Sequence, residues 1–149
     1  MSANLPSSVQ ITNLVFHYAE LMDLGDFEAA AGLFEHAELI LDPATDARTD
    51  AAGILALWRS MVIVHADGTP RTKHVTTNPI VEVDEALGTA TCRSSYTVFQ
   101  QIDDGPLEPI VAGRYHDRFE RVADVWRFTE RDYSMMDLVG DVSRHLRRS

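Results

Sequence analysis

Cysteine is almost absent from this sequence. Cys92 stands alone among 149 residues, so no disulfide can form within the chain, and a small buried side chain is its expected role. Positive charge is scarce too: 13 Lys and Arg stand against 23 Asp and Glu, a formal net charge of −10. That deficit argues against nucleic acid as a partner, because phosphate binding needs a cationic face. It argues equally against docking on an anionic membrane. No apolar run reaches the roughly 18–20 residues that a membrane helix needs. Met1 to Pro6 holds no basic stretch leading into an apolar one, so no signal peptide is expected and the cytoplasm is the default compartment. There is no glycine-rich phosphate loop and no Gly-x-Ser-x-Gly elbow. The six histidines include no pair at i,i+4 and have no cysteine companions, so no zinc site is expected.

Apolar residues, at 45% of the chain, exclude disorder and are enough for one packed domain with a pocket. No repeat or linker divides residues 1–149. Ile11, Leu14, Val15, Tyr18, Leu21 and Met22 recur at helical spacing, and Gly25 is a stop signal. Asp26 can cap a second helix to about Phe34, and Asp50 a third that carries Ile54, Leu57, Trp58, Met61 and Val62. Glu38 to Leu41 reads as a short strand. After Pro70 the chain turns to strand composition: Arg71 to Asp84, Thr89 to Ile102, Leu107 to Val122 and Val125 to Met135, separated by turn residues such as Asp103-Asp104-Gly105-Pro106. Asp137 to Arg147 reads as a closing helix, its terminal cations suited to a helix C-terminus. The order is α+β: a curved antiparallel sheet against N-terminal helices, enclosing a pocket, with bulges expected at Asn78-Pro79 and Gly113.

Few side chains are placed for chemistry. On a strand, Thr72, His74, Thr76 and Asn78 share a face. His74 reads either as structural or as a base. Asp23, in the last turn of the first helix, reads either as a solvated acid or as its partner. A carboxylate bonded to one imidazole nitrogen fixes the tautomer and leaves the other nitrogen as a general base. Tyr18 lies five positions before Asp23, about 140° away around an ideal helix. It is either core or a phenol that donates to a developing oxyanion. Tyr96 and Tyr115 fall on the inward faces of their strands, where structural tyrosines are common and substrate contacts possible. Arg131 is a surface strand residue or a cation for an acidic substrate group. Trp58 is core or pocket wall. The adjacent His116 and Asp117 point to opposite faces of a strand and do not form a pair.

Three stretches carry a resemblance: Tyr18 to Phe27, Thr69 to His74, and Gly113-Arg114-Tyr115 through Val125-Trp126-Arg127-Phe128. The chain resembles the nuclear transport factor 2-like superfamily, and within it the SnoaL-like and scytalone dehydratase-like proteins. The resemblance implies a cone-shaped α+β domain, commonly homodimeric, around a hydrophobic pocket. Scytalone dehydratase removes a proton with a histidine held by an aspartate, matched here by His74 and Asp23. The tyrosine before that aspartate is Met22 here. The second catalytic histidine falls near Tyr96 and the substrate-positioning asparagine near Tyr115. A bacterial bile-acid 7α-dehydratase is also similar, and Tyr18, Asp23, His74 and Arg131 match its set. The resemblance therefore implies a cofactor-free lyase of the dehydratase type, or an isomerase, for a small hydrophobic cyclic carbonyl compound. His74, Asp23 and Tyr18 would be catalytic, with Tyr96, Tyr115, Arg131 and Trp58 around the substrate. The same fold also implies a rival: a ligand-binding or dimerisation module, such as a ring-hydroxylating dioxygenase small subunit, since fold alone does not assign chemistry.

Overall fold

The computed structural model describes residues 5–148. Three helices, α1 (Ser7–Leu24), α2 (Phe27–Gly32) and α3 (Ala51–Met61), pack on a sheet built from β1 (Glu38–Asp42), β2 (Ala47–Thr49), β3 (Thr72–Asp84), β4 (Thr89–Gln100), β5 (Glu108–Val122), β6 (Val125–Asp132) and β7 (Leu138–Val139). The strand order is β2-β1-β6-β5-β4-β3, with β7 on β5. All pairs are antiparallel except β1 with β6.

Local chemistry sets the helix ends. Gly25 takes a φ of 76°; its N–H donates to the Met22 carbonyl and the Asp26 N–H to that of Leu21, the two bonds of a Schellman stop. Asp26 and Asp50 cap the next two helices by accepting from the N–H groups of Ala29 and Gly53. The core forms where the apolar face of α1 (Ile11, Val15, Tyr18 and Met22) meets Phe34, Leu39, Ile54, Trp58 and the inward positions of β4 to β6.

Bulges decide which side chains face that core. In β3 the register shifts between Thr77 and Ile80, and Asn78 has a φ of 54°. Thr72, His74 and Thr76 are half-buried before the bulge, and Val81 and Val83 after it. The expected bulge at Asn78-Pro79 is present, but Asn78 lies within it and is exposed, so it leaves the face of His74. Gly113 is not a bulge: it pairs in regular register with Tyr96. Its hydrogen lets the Tyr96 ring and the Met135 carbonyl lie against the backbone; a Cβ there would stand 2.7 Å from the Tyr96 hydroxyl oxygen.

A further bulge lies in β6. Arg118 pairs with Glu130 but Phe119 with Phe128, leaving Thr129 extra. Beyond it the inward phase passes from Trp126 and Phe128 to Arg131. The Arg131 side chain has no exposed surface and grips the equally buried Asp117 through two bonds of 2.7 and 2.9 Å. Its guanidinium carbon lies 3.8 Å from the Tyr115 ring centre and 4.4 Å from that of Tyr18. Burial works against the charge on Arg131, but the charge and hydrogen bonds of Asp117 hold its pKa above the ordinary value. Burial pushes the Asp117 carboxyl up, and Arg131 offsets part of that. Such bidentate geometry on two desolvated groups is that of an ion pair.

The closing helix expected over Asp137 to Arg147 is absent. Leu138 and Val139 pair with β5 instead, and the Gly140 N–H continues that edge by donating to the Ile110 carbonyl. Tertiary pairing outweighs the weak helix preference of a segment broken by glycine. The cations at its end do serve a helix C-terminus, but that of α3: the Arg147 guanidinium donates to the carbonyls of Arg59, Ser60 and Val62.

Arg131→Met should destabilise the fold by about 3–5 kcal/mol by stranding Asp117, while Asp117→Leu combined with Arg131→Met should recover most of that loss. Denaturant unfolding of the two variants checks this, and a single variant as stable as the parent would contradict it. Gly113→Ala should cost about 1–3 kcal/mol through overpacking against Tyr96, read by the same unfolding curves and by displaced Tyr96 ring signals in NMR spectra.

Candidate functional site

Asp23 sits in the last turn of α1, where the helix dipole disfavours an anion. β3 compensates it. The backbone N–H of His74 donates to both carboxylate oxygens, at 2.8 and 3.1 Å. The Thr72 hydroxyl donates at 3.1 Å, and His74 Nδ1 lies 2.5 Å from Oδ1. The two side chains keep only 8% and 14% of their surface exposed. An ionised carboxylate can only accept, so with a neutral ring the hydrogen lies on Nδ1 and His74 Nε2 is left with a lone pair.

The His74 ring forms part of the wall of a cavity of about 320 Å³ between the helices and the concave sheet. The wall is apolar over Met22, Leu57, Val98, Val111 and Leu146, with polar tips from Tyr96, Tyr115, Tyr133, Ser134 and His145. A larger groove of about 570 Å³ runs along the outside between α1 and β6, but neither Asp23 nor His74 belongs to it. Among the described residues no cluster of three His, Cys, Asp or Glu could hold a metal ion.

The residues expected at the site fall into two groups. His74, Tyr96, Tyr115 and Trp58 line the cavity. Tyr96 stacks on Tyr115 with ring centres 4.4 Å apart, and Trp58 Nε1 donates to the Tyr133 hydroxyl at 3.1 Å. Tyr18 and Arg131 stand behind the wall. Tyr18 is almost wholly buried among Phe34, Trp58, His74 and Tyr115. Its hydroxyl has no hydrogen bond of good geometry among the described residues. Arg131, expected to meet a substrate, is instead spent on Asp117 beneath the tyrosines, because the bulge at Thr129 turns it inward.

Burial keeps the phenols protonated. It pushes the Tyr96 pKa up to about 12, with Tyr133 and Asp137 adding to the rise. Tyr18 and Tyr115 lie well above the ordinary value for the same first reason. All three are therefore neutral donors at pH 7. His145 moves the other way: burial, then the nearby His74 and His65, push its pKa down to about 4, so it is a neutral imidazole.

Tyr133, Ser134 and His145 were not legible as site residues. Tyr133 follows the Thr129 bulge, so strict alternation from Phe128 misplaces it. His145 reaches the cavity only because the C-terminal segment is not a helix. The one available sign was a histidine between the apolar Val142 and Leu146.

Comparison with solved structures supports the same architecture. An NTF2-like protein with a cystatin-like fold from Novosphingobium aromaticivorans is 27% identical, over 87% of this chain and 82% of that one, with a TM-score of 0.68. Aln2 from a Streptomyces species is 25% identical, over 87% and 92% of the two chains, with a TM-score of 0.67. A candidate beta subunit of an aromatic-ring-hydroxylating dioxygenase from Novosphingobium aromaticivorans shares the fold at 19% identity, over 92% and 94%, with a TM-score of 0.65. No functionally curated protein matches. The SnoaL-like domain family matches residues 3–132, most of the chain. The protein is a member of the SnoaL-like family, with its NTF2-like, cystatin-like fold.

Proposed function

We propose that this protein is a cofactor-free lyase of the dehydratase type, or an isomerase using the same enolate chemistry, for a small hydrophobic cyclic carbonyl compound. One observation carries the reading: the 2.5 Å contact between His74 Nδ1 and Asp23, with the imidazole in the wall of an apolar cavity. A base needs a fixed tautomer, an oriented ring and a dry place to meet a C–H bond.

In the elimination, a phenol of Tyr96 or Tyr115 donates to the substrate carbonyl. His74 Nε2 takes a proton from the carbon beside that carbonyl. The electron pair left behind forms the carbon–carbon double bond as the bond to a β-hydroxyl breaks. That hydroxyl takes the proton back from His74 and leaves as water, so the enzyme ends as it began. An isomerase returns the proton to another carbon instead. Asp23 holds the ring and balances its transient positive charge. Tyr18, behind His74 and Tyr115, positions these two rings rather than touching the substrate. A cavity of about 320 Å³ lies at the small end of ligand pockets, which span about 300–1,000 Å³. It suits one or two rings better than a four-ring skeleton. The outer face of β3 and β4 exposes Val75 and, in part, Phe99, which supports a homodimer through that face.

The test follows α-proton exchange of 1-tetralone in D₂O by NMR. The wild-type protein should accelerate exchange, and His74→Ala should reduce that rate about 10²- to 10⁴-fold while still unfolding cooperatively, at a lower midpoint because Asp23 loses its ring donor. Asp23→Asn should lower the rate as well, by releasing the ring. Thermal-shift binding of the ketone with no exchange above buffer would put a binding module in place of the lyase. For the dimer, Val75→Glu should shift the mass measured by light scattering from two chains towards one.

A further inference from the structure

Tyr133 is the cavity phenol that the elimination leaves without a task. It follows β6 directly, outside residues 3–132 that the family match covers, and lines the cavity. Unlike Tyr18, Tyr96 and Tyr115, which are buried, it is only half-buried. Three contacts fix where it stands. Its backbone N–H donates to the Ile40 carbonyl of β1 at 2.9 Å. Its ring lies nearly parallel to that of Tyr115, at 19° with 6.3 Å between centres. Its hydroxyl oxygen accepts from Trp58 Nε1 at 3.1 Å.

An indole N–H can only donate, so the bond between Trp58 and Tyr133 runs in one direction. It takes a lone pair of the phenol and leaves the phenol hydrogen to be donated elsewhere. Among the described residues that hydrogen meets no acceptor of good geometry: the Tyr133 hydroxyl makes only the bond from Trp58, and the hydroxyl of the neighbouring Tyr18 makes none. A hydroxyl that accepts one hydrogen bond also donates a stronger one. We propose that Tyr133 holds the ligand's second oxygen, the β-hydroxyl that leaves, while Tyr96 or Tyr115 holds the carbonyl. Its O–H donates to that oxygen and offsets the negative charge that builds there as the carbon–oxygen bond breaks. The proton that completes the water comes from His74, and Tyr133 keeps its own. The ligand is accordingly a cyclic β-hydroxyketone, and water loss rather than isomerisation is the reaction. This rests on reading the cavity as the site of a cyclic carbonyl compound, but the hold on the hydroxyl does not need turnover.

The experiment pairs 1-tetralone, which has the carbonyl alone, with 3-hydroxy-1-tetralone, which adds the β-hydroxyl and loses water to give 1-naphthol. Tyr133→Phe keeps the ring and removes the donor. It should slow 1-naphthol formation roughly 10- to 100-fold, the worth of a hydrogen bond to a charged oxygen, and leave α-proton exchange of 1-tetralone unchanged. In a His74→Ala background, where the hydroxyketone is held without turnover, Tyr133→Phe should weaken calorimetric binding of 3-hydroxy-1-tetralone roughly 2- to 10-fold and leave that of 1-tetralone unchanged. A merely structural role would depress both compounds together. Losses that are equal for the two compounds, or absent for both, overturn the inference, as does a protein that binds neither. If the wild-type protein catalyses neither exchange nor water loss, the lyase reading falls. Selective weakening of the hydroxyketone by Tyr133→Phe would then still uphold the assignment of Tyr133 to the hydroxyl.

Discussion

A carboxylate at the C-terminal end of a helix faces the negative pole of the helix dipole, and a buried one must be answered by donors. Asp23 meets both conditions at once. Its oxygens take the backbone N–H and ring of His74 and the hydroxyl of Thr72, so the last turn of α1 is joined to the first residues of β3. The Gly25 stop brings the chain close there: a Cβ at Gly25 would lie 2.6 Å from the Gly68 carbonyl oxygen, on the loop that leads into β3. The contact that orients the imidazole is thus the contact that seats the helix on the sheet, and the cavity opens beside it.

An ion pair supports the opposite wall. Arg131 and Asp117 bond across β5 and β6, and the flat guanidinium underlies the rings of Tyr115 and Tyr18. A charge fully out of water is tolerated only with its partner in place. This pair therefore fixes the relative position of two strands and, through them, of the tyrosine stack. Above it, Tyr96 and Tyr115 present protonated phenols towards a cavity whose walls are mostly apolar. The polar groups are few and convergent, which is how a site distinguishes one oxygenated ring from another.

Legibility varied with the range of the interaction. The helix caps at Asp26 and Asp50 and the stop at Gly25 could be read from single residues, because each acts within a turn of the chain. Strand alternation correctly turned Tyr96 and Tyr115 inward. It failed past a bulge: Asn78 left the face of His74, and Arg131 entered the core where a surface or substrate role was expected. A bulge adds one residue, and every later side chain changes sides; Asn78-Pro79 marks the one in β3, but nothing in the composition marks the one at Thr129. The terminal segment failed for another reason. Its cations and apolar residues suit a helix, but the open edge of β5 and the end of α3 compete for the same groups and win.

The sequence alone determined the α+β order, the helix ends, the family and the choice of Asp23 and His74 as the pair to watch. These follow from local propensity, periodicity and a recurring set of residues. Tertiary structure alone decided that the two meet at bonding distance, that Arg131 belongs to Asp117, and that His145 faces the cavity. Each of these depends on strand register or on pairing between segments far apart in the chain, and neither is written in the identity of any one residue.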